Sequence, residues 1–191
     1  MKYDLLSKIK SPEDIKSFDF DKLRMLSKEI RYKLIETVSK NGGHLASNLG
    51  VVELTIAMHK VFDSPKDQFV FDVGHQCYTH KLLTGRYDSF DTIRTKGGIS
   101  GFCRPSESEH DVFYSGHSGT SVSAGLGLAQ SKKLKKDEHY VVSVIGDGSF
   151  TGGMVYEALN NGGRTDVKHI IILNDNKMSI SENVGAFAKY L

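Results

Sequence analysis

The sequence predicts an α/β fold, with a mainly parallel sheet flanked by helices and an N-terminal helical segment in front of it. Three observations carry this. Residues 68–73, 140–145 and 169–173 are short runs rich in aromatic and β-branched residues, each followed by glycine or asparagine. Their near-continuous apolar character marks strands covered on both faces. Helix-like stretches at about 121–135 and 154–160 lie between them, so strand and helix alternate along the chain.

Residues 1–43 read as helical. Ser11-Pro12-Glu13-Asp14 sets a capping residue, a proline at the first helical position and two acids in the first turn. From Asp19 onward, Leu23, Leu26, Ile30, Leu34 and Val38 recur at spacings of three and four, the apolar face of one helix, which Asn41-Gly42-Gly43 stops. A second helix is expected from about Leu49 to Phe62, and its wrap-around apolar pattern predicts deep burial. The stretch from about 86 to 114 has weak periodicity and many Gly, Ser and charged residues. It reads as a long excursion over the surface or over a site. The division expected is a helical segment, 1–43, and an α/β domain, 44–191.

With 191 residues, 39% of them hydrophobic, the chain can bury a core of its own. Twenty-five Lys+Arg against 23 Asp+Glu leave a formal charge of +2, which implies neither a nucleic-acid nor a membrane surface. The run Lys132, Lys133, Lys135 and Lys136 reads as a solvated helix end. Two cysteines, Cys77 and Cys103, are expected as free thiols in a reducing, cytoplasmic compartment. The N-terminus has no apolar stretch of signal-peptide length, and no apolar run approaches the ~18 residues a membrane span needs.

In open parallel sheets ligands bind beyond the carboxyl ends of the strands. Each expected strand here ends in polar residues: Gly74-His75-Gln76, Gly146-Asp147-Gly148-Ser149 and Asn174-Asp175-Asn176. Glycines allow close backbone approach, helix starts offer N–H groups to an anion, and an aspartate supplies the hard oxygen that magnesium prefers. Gly-Asp-Gly alone is also an ordinary turn. Followed by a crossover, another apolar strand and Asn176, it can place two oxygen donors on one sheet edge.

That pattern resembles the signature of thiamine-diphosphate enzymes. The resemblance narrows with His44-Leu45-Ala46-Ser47-Asn48-Leu49-Gly50, Asp72-Val73-Gly74-His75-Gln76, Tyr114-Ser115-Gly116-His117-Ser118 and the block from Leu173 to Gly185. Together they are similar to the 1-deoxy-D-xylulose-5-phosphate synthase family over nearly the whole chain. Gly119, where serine is expected, and Ser149-Phe150 after Gly-Asp-Gly depart from the usual pattern. The resemblance implies a thiamine-diphosphate-binding fold with Mg²⁺ held by Asp147, Asn176 and the Met178 carbonyl. It places His75, Gly116, His117, Ser118, Gly148, Ser149 and Asn176 at the cofactor. His44 is implied on the substrate side, with His44 and His75 as the catalytic histidines.

The reaction implied joins pyruvate, with loss of CO₂, to D-glyceraldehyde 3-phosphate, giving the precursor of isoprenoids, thiamine and pyridoxal. The implied partners are those two substrates and either a second copy or a pyrimidine-binding domain. That domain would supply a glutamate this chain lacks, so the chain alone is expected to be inactive. A transketolase-like paralogue and a non-enzymatic cofactor-binding or dimerisation module are the alternatives. His59, His139 and His169 read as structural, His80 as support for the His75 loop, and His110 carries no assignment.

Overall fold

The structure, a computed structural model, describes residues 3–175. Two short 3-10 turns, Leu6–Lys8 and Pro12–Ile15, open the chain. The second begins where expected: Pro12 takes the first position, and the Asp14 carboxylate accepts from the Ser11 and Lys10 N–H groups. Helix α1, Phe20–Asn41, starts where the Asp19 side chain accepts from Lys22 N at 2.9 Å. It ends at Gly42, whose positive φ of 73° suits a residue without Cβ and whose N–H reaches Val38 O at 2.9 Å. Leu26, Ile30 and Leu34 are fully buried on its inner face, each worth about 1.5–3 kcal/mol of burial.

The helix expected over about 49–62 is α3, Val52–Val61, and a short helix not expected, α2, Leu45–Leu49, precedes it. The chain turns at Gly50 and Val51, leaving Val51 and Val52 buried. Strand β1, Gln68–Phe71, stops two residues short of the expected end, because Val73 takes a left-handed φ of 59°. Helix α4, Tyr78–Leu83, has all six residues buried and therefore no amphipathic period to read. Helix α5, Ser121–Leu134, and strand β2, Val141–Gly146, follow. Short α6, Asp147–Phe150, α7, Gly153–Gly162, and β3, His169–Asn174, complete the described chain.

The three strands are parallel in the order β1-β2-β3, with Phe71 opposite Val144 and Gly146 opposite Asn174. Strand periodicity sorts their side chains into two layers. Phe69, Phe71, Val142 and Val144 join one hydrophobic cluster with Leu26, Ile30 and Leu34 of α1, Ile56 of α3 and Leu82 of α4. On the opposite face Val70 and Val141 pack with Ala129 of α5, and Ile145 packs with Val122 of α5 and Val155 of α7. The expected two-sided parallel sheet is present, with β3 only half-buried along its length.

The stretch from 86 to 114, expected over the surface or over a site, brings Phe102 beside His44 and is anchored in the core as well. Phe90, Ile93 and Cys103 enter the main core. Buried Asp111 accepts from Arg86 through both guanidinium nitrogens at 2.8 Å, and from His80 at 3.1 Å. The lysine run also needs correction at one position. Lys133, Lys135 and Lys136 are exposed, but Lys132 is buried and donates to Lys66 O and Asp137 at 2.7 Å.

Among the described residues no helix is long and apolar enough to cross a membrane.

Candidate active site at the C-terminal edge of the sheet

His44 follows the glycine turn that ends α1, and His75 follows the turn that ends β1. Their rings meet edge to face with centroids 5.3 Å apart, and Phe102 lies 6.1 Å from His44. What joins the two loops is Asn48, which is fully buried on α2. Its amide nitrogen donates to the carbonyls of His44 and His75, both at 2.8 Å, and its oxygen accepts from Tyr78 N at 2.9 Å. One side chain therefore fixes three backbone groups in two segments, a high-stakes arrangement because its buried amide is used at both ends.

Burial pushes both imidazoles below their ordinary pKa. For His44 the nearby Arg94 guanidinium adds to the effect; for His75, His44 adds to it and Asp72 opposes it. Both rings are accordingly neutral near pH 7, the form that can accept a proton. Arg94 is exposed and packs beside Gly43 and Gly101. An exposed guanidinium near His44 suits a carboxylate or phosphate.

The 116–118 loop is brought to the same edge. A Cβ on Gly74 would overlap Ser115, so the turn before His75 and the start of this loop are in contact. At its other end Gly119 N donates to Asp72 at 2.9 Å, and a Cβ on Gly119 would sit 3.8 Å from Val155 of α7. Gly116, His117 and Ser118 themselves are exposed. Asp147 is buried at the end of β2, followed by exposed Gly148 and half-buried Ser149. The strand register sets this end beside Asn174 of β3. Asn176 and Met178 lie outside the described residues.

The donor set can be tested against a magnesium diphosphate cofactor. A hard carboxylate stands at the strand end, as Mg²⁺ requires. His75 Nδ1 and Ser115 Oγ are buried with no partner among the described residues, and such atoms call for a ligand or water. Backbone at Gly116 and Gly146 is open, since a Cβ there would meet nothing within 4 Å. These features fit the group. Among the described residues no three His, Cys, Asp or Glu side chains converge as a metal centre, so a site at Asp147 needs other oxygen donors.

The remaining histidines lie away from this edge. His59 Nε2 and His80 Nδ1 are 2.9 Å apart in the core, and His169 Nε2 is 2.8 Å from Ser143 Oγ. His80, expected behind the His75 loop, instead links His59 to Asp111. Sequence reading missed the roles of Asn48 and Asp72, although both sit inside the motifs it singled out. It missed Arg94, Tyr78 and Phe102 for want of any signal.

A profile of the family described as 1-deoxy-D-xylulose-5-phosphate synthase matches residues 6–191. Curated relatives carrying that name include one from Caldanaerobacter subterraneus subsp. tengcongensis, 57% identical over 98% of this chain and 30% of its own length. Another, 1-deoxy-D-xylulose-5-phosphate synthase 1 of Geobacter sulfurreducens, is 59% identical over 98% of this chain and 29% of its own. A third, from Alkaliphilus oremlandii, is 56% identical over 99% and 30%. The chain thus spans about 30% of the length of the curated relatives it matches. Identity at this level over almost every residue, together with the sheet edge just described, means that the chain belongs to the 1-deoxy-D-xylulose-5-phosphate synthase family.

Proposed function

We propose that this chain is the diphosphate-gripping part of an enzyme that condenses pyruvate with D-glyceraldehyde 3-phosphate, releasing CO₂ and forming 1-deoxy-D-xylulose 5-phosphate. The observation that carries the reading is the meeting of three segments at one sheet edge: the His44–His75 pair, the 116–118 loop and the Asp147 strand end. Thiamine diphosphate, when bound, supplies the electron sink for the loss of CO₂.

The protein's part is placement, charge and proton transfer. Asp147, with Asn176 and the Met178 carbonyl, holds Mg²⁺. Gly116, His117, Ser118, Gly148 and Ser149 offer backbone and hydroxyl donors to the diphosphate. Neutral His75 lies beside the cofactor, and His44 faces the substrate and accepts or returns a proton. In this reading residues 1–43 form a helical segment and 44–191 the diphosphate-binding domain. A pyrimidine-binding domain, in a homodimer, provides the rest. Free, buried Cys77 and Cys103 support a reducing cytoplasmic setting.

The test is a chimera in which this chain replaces the matching segment of a curated relative. Given Mg²⁺, thiamine diphosphate and both substrates, it should release CO₂ from pyruvate and form the product, whereas the 191-residue chain alone should form none. Ketol transfer without CO₂ release would identify a transketolase-like enzyme instead. Asp147→Ala in the chimera should raise the Mg²⁺–cofactor requirement at least ~10-fold. An unchanged requirement would remove Asp147 from the metal site.

A further inference from the structure

Asp72 lies on the boundary between the two halves of the candidate site and touches both. Its carboxylate is 1% exposed. Both oxygens accept from backbone: one from Gly119 N at 2.9 Å, the other from Ser121 N at 3.0 Å. Ser121 begins α5, whose own cap residue, Thr120, makes no side-chain cap to the helix and instead donates from Oγ1 to His117 O at 3.2 Å. A strand end thus caps a helix distant in sequence, and a carboxylate is favoured there by both the free N–H groups and the helix dipole. Hydrogen bonds to an ionised acceptor are roughly twice as strong as neutral ones.

On its other side Asp72 starts the turn that delivers His75. Val73 and Gly74 both hold left-handed backbone, φ 59° and 80°, and Gly74 N reaches back to Asp72 O at 2.6 Å. A β-branched residue in that region costs on the order of 1–3 kcal/mol and persists only where its surroundings hold it. Ser115 against Gly74, and Asp72 against Gly119 and Ser121, are the two clamps. The exposed residues Gly116, His117 and Ser118 lie between them, with the Thr120 hydroxyl on His117 O as a local tie.

We propose that Asp72 is a positioning residue for the cofactor site, clamping the 116–118 loop to the strand end that carries His75 so that both present one geometry to the diphosphate. This rests on the reading of that loop as a diphosphate contact.

The first readout needs no activity. In this chain Asp72→Ala should speed amide exchange at Gly119 and Ser121 by at least ~10-fold, while amides of β2 exchange at their former rate. The second uses the chimera, where Asp72→Ala should raise KM for thiamine diphosphate about tenfold and leave kcat at saturating cofactor within about threefold. Ser143→Ala, which loosens α5 from the sheet without touching Asp72, is the control: it should lower thermal stability and leave that KM unchanged. Should Asp72→Ala fail to fold, Asp72→Asn, which keeps an acceptor oxygen, takes its place in both readouts. Unchanged exchange, or a KM no more affected than in Ser143→Ala, overturns the proposal. An unsubstituted chimera that makes no product overturns the functional reading instead, and exchange at Gly119 and Ser121 still decides whether Asp72 holds the loop.

Discussion

His44 and His75 owe their chemistry to neighbours that do not titrate near neutrality. Asn48 fixes the carbonyls of both, so the edge-to-face ring pair is set by a buried amide and not by the rings themselves. Replacing Asn48 by Ala would leave three backbone groups, one of them fully buried, without that partner. A loss of about 1–3 kcal/mol in urea unfolding is expected, and a loss within 0.5 kcal/mol would show that water substitutes freely. His44→Ala in the chimera is expected to lower kcat while sparing cofactor affinity, because His44 is assigned to the substrate side. Equal loss of cofactor affinity would move it to the cofactor. Asn48, Asp72 and His75 were all within view in the sequence, but residue type and spacing alone do not say which polar side chain reaches which backbone group.

Helices and strands show where the sequence speaks clearly and where it is silent. Helix α1 could be read because one of its faces is solvated, giving Leu26, Ile30 and Leu34 a period. Helix α4 could not, because no face is. Its Lys81 and His80 are buried against charges that arrive from 107 and 111, far along the chain. Asp111→Ala should therefore cost about 3–5 kcal/mol, since Arg86 would remain buried without its carboxylate. A cost under 1 kcal/mol would mean that Arg86 escapes to solvent. Helix α5 meets β2 at Gly125, where a Cβ would overlap Ser143 Oγ and His169 Nε2. Ser143 Oγ is held by Ser121 O at 2.9 Å and cannot retreat. Gly125→Ala is expected to destabilise by about 1–3 kcal/mol through overpacking, read from the urea midpoint at constant slope.

The whole molecule should respond to acid through its histidines, above all the fully buried His59 and His80. Burial lowers the pKa of His59 and takes His80 down to about 4, and it also lowers His44, His75, His110 and His169. His80 is neutral at pH 7, donating from Nε2 to Asp111 and accepting at Nδ1 from His59. A histidine whose folded pKa is depressed binds protons first in the unfolded chain. Stability is therefore intact above about pH 6.5 and falls as pH drops toward 4, by up to about 1.4 kcal/mol per pH unit for each of the fully buried pair His59 and His80, and by less for the solvent-accessible histidines. Asp111 has the opposite origin but the same direction. His80 and Arg86 hold its carboxyl well below the usual range, and its contribution is lost progressively as pH falls from the ordinary carboxylate range toward that depth. The urea midpoint should be clearly lower at pH 5 than at pH 7.5; equal midpoints would mean that these histidines reach solvent in the folded state.

The sequence by itself determined the strand and helix alternation, the cap and stop of α1, the parallel sheet and the polar residues at its C-terminal edge. All of these follow from local backbone preference and from the period with which apolar residues face a core. Tertiary structure decided the rest: that 86–114 is pinned by Asp111, that Lys132 is buried, that His80 belongs to the core and that Asp72 joins β1 to the 116–118 loop. The physical reason is that a buried charge or amide is tolerable only when its partner arrives. Most of those partners come from 21 to 66 residues away, a distance over which pattern carries no information and only packing does.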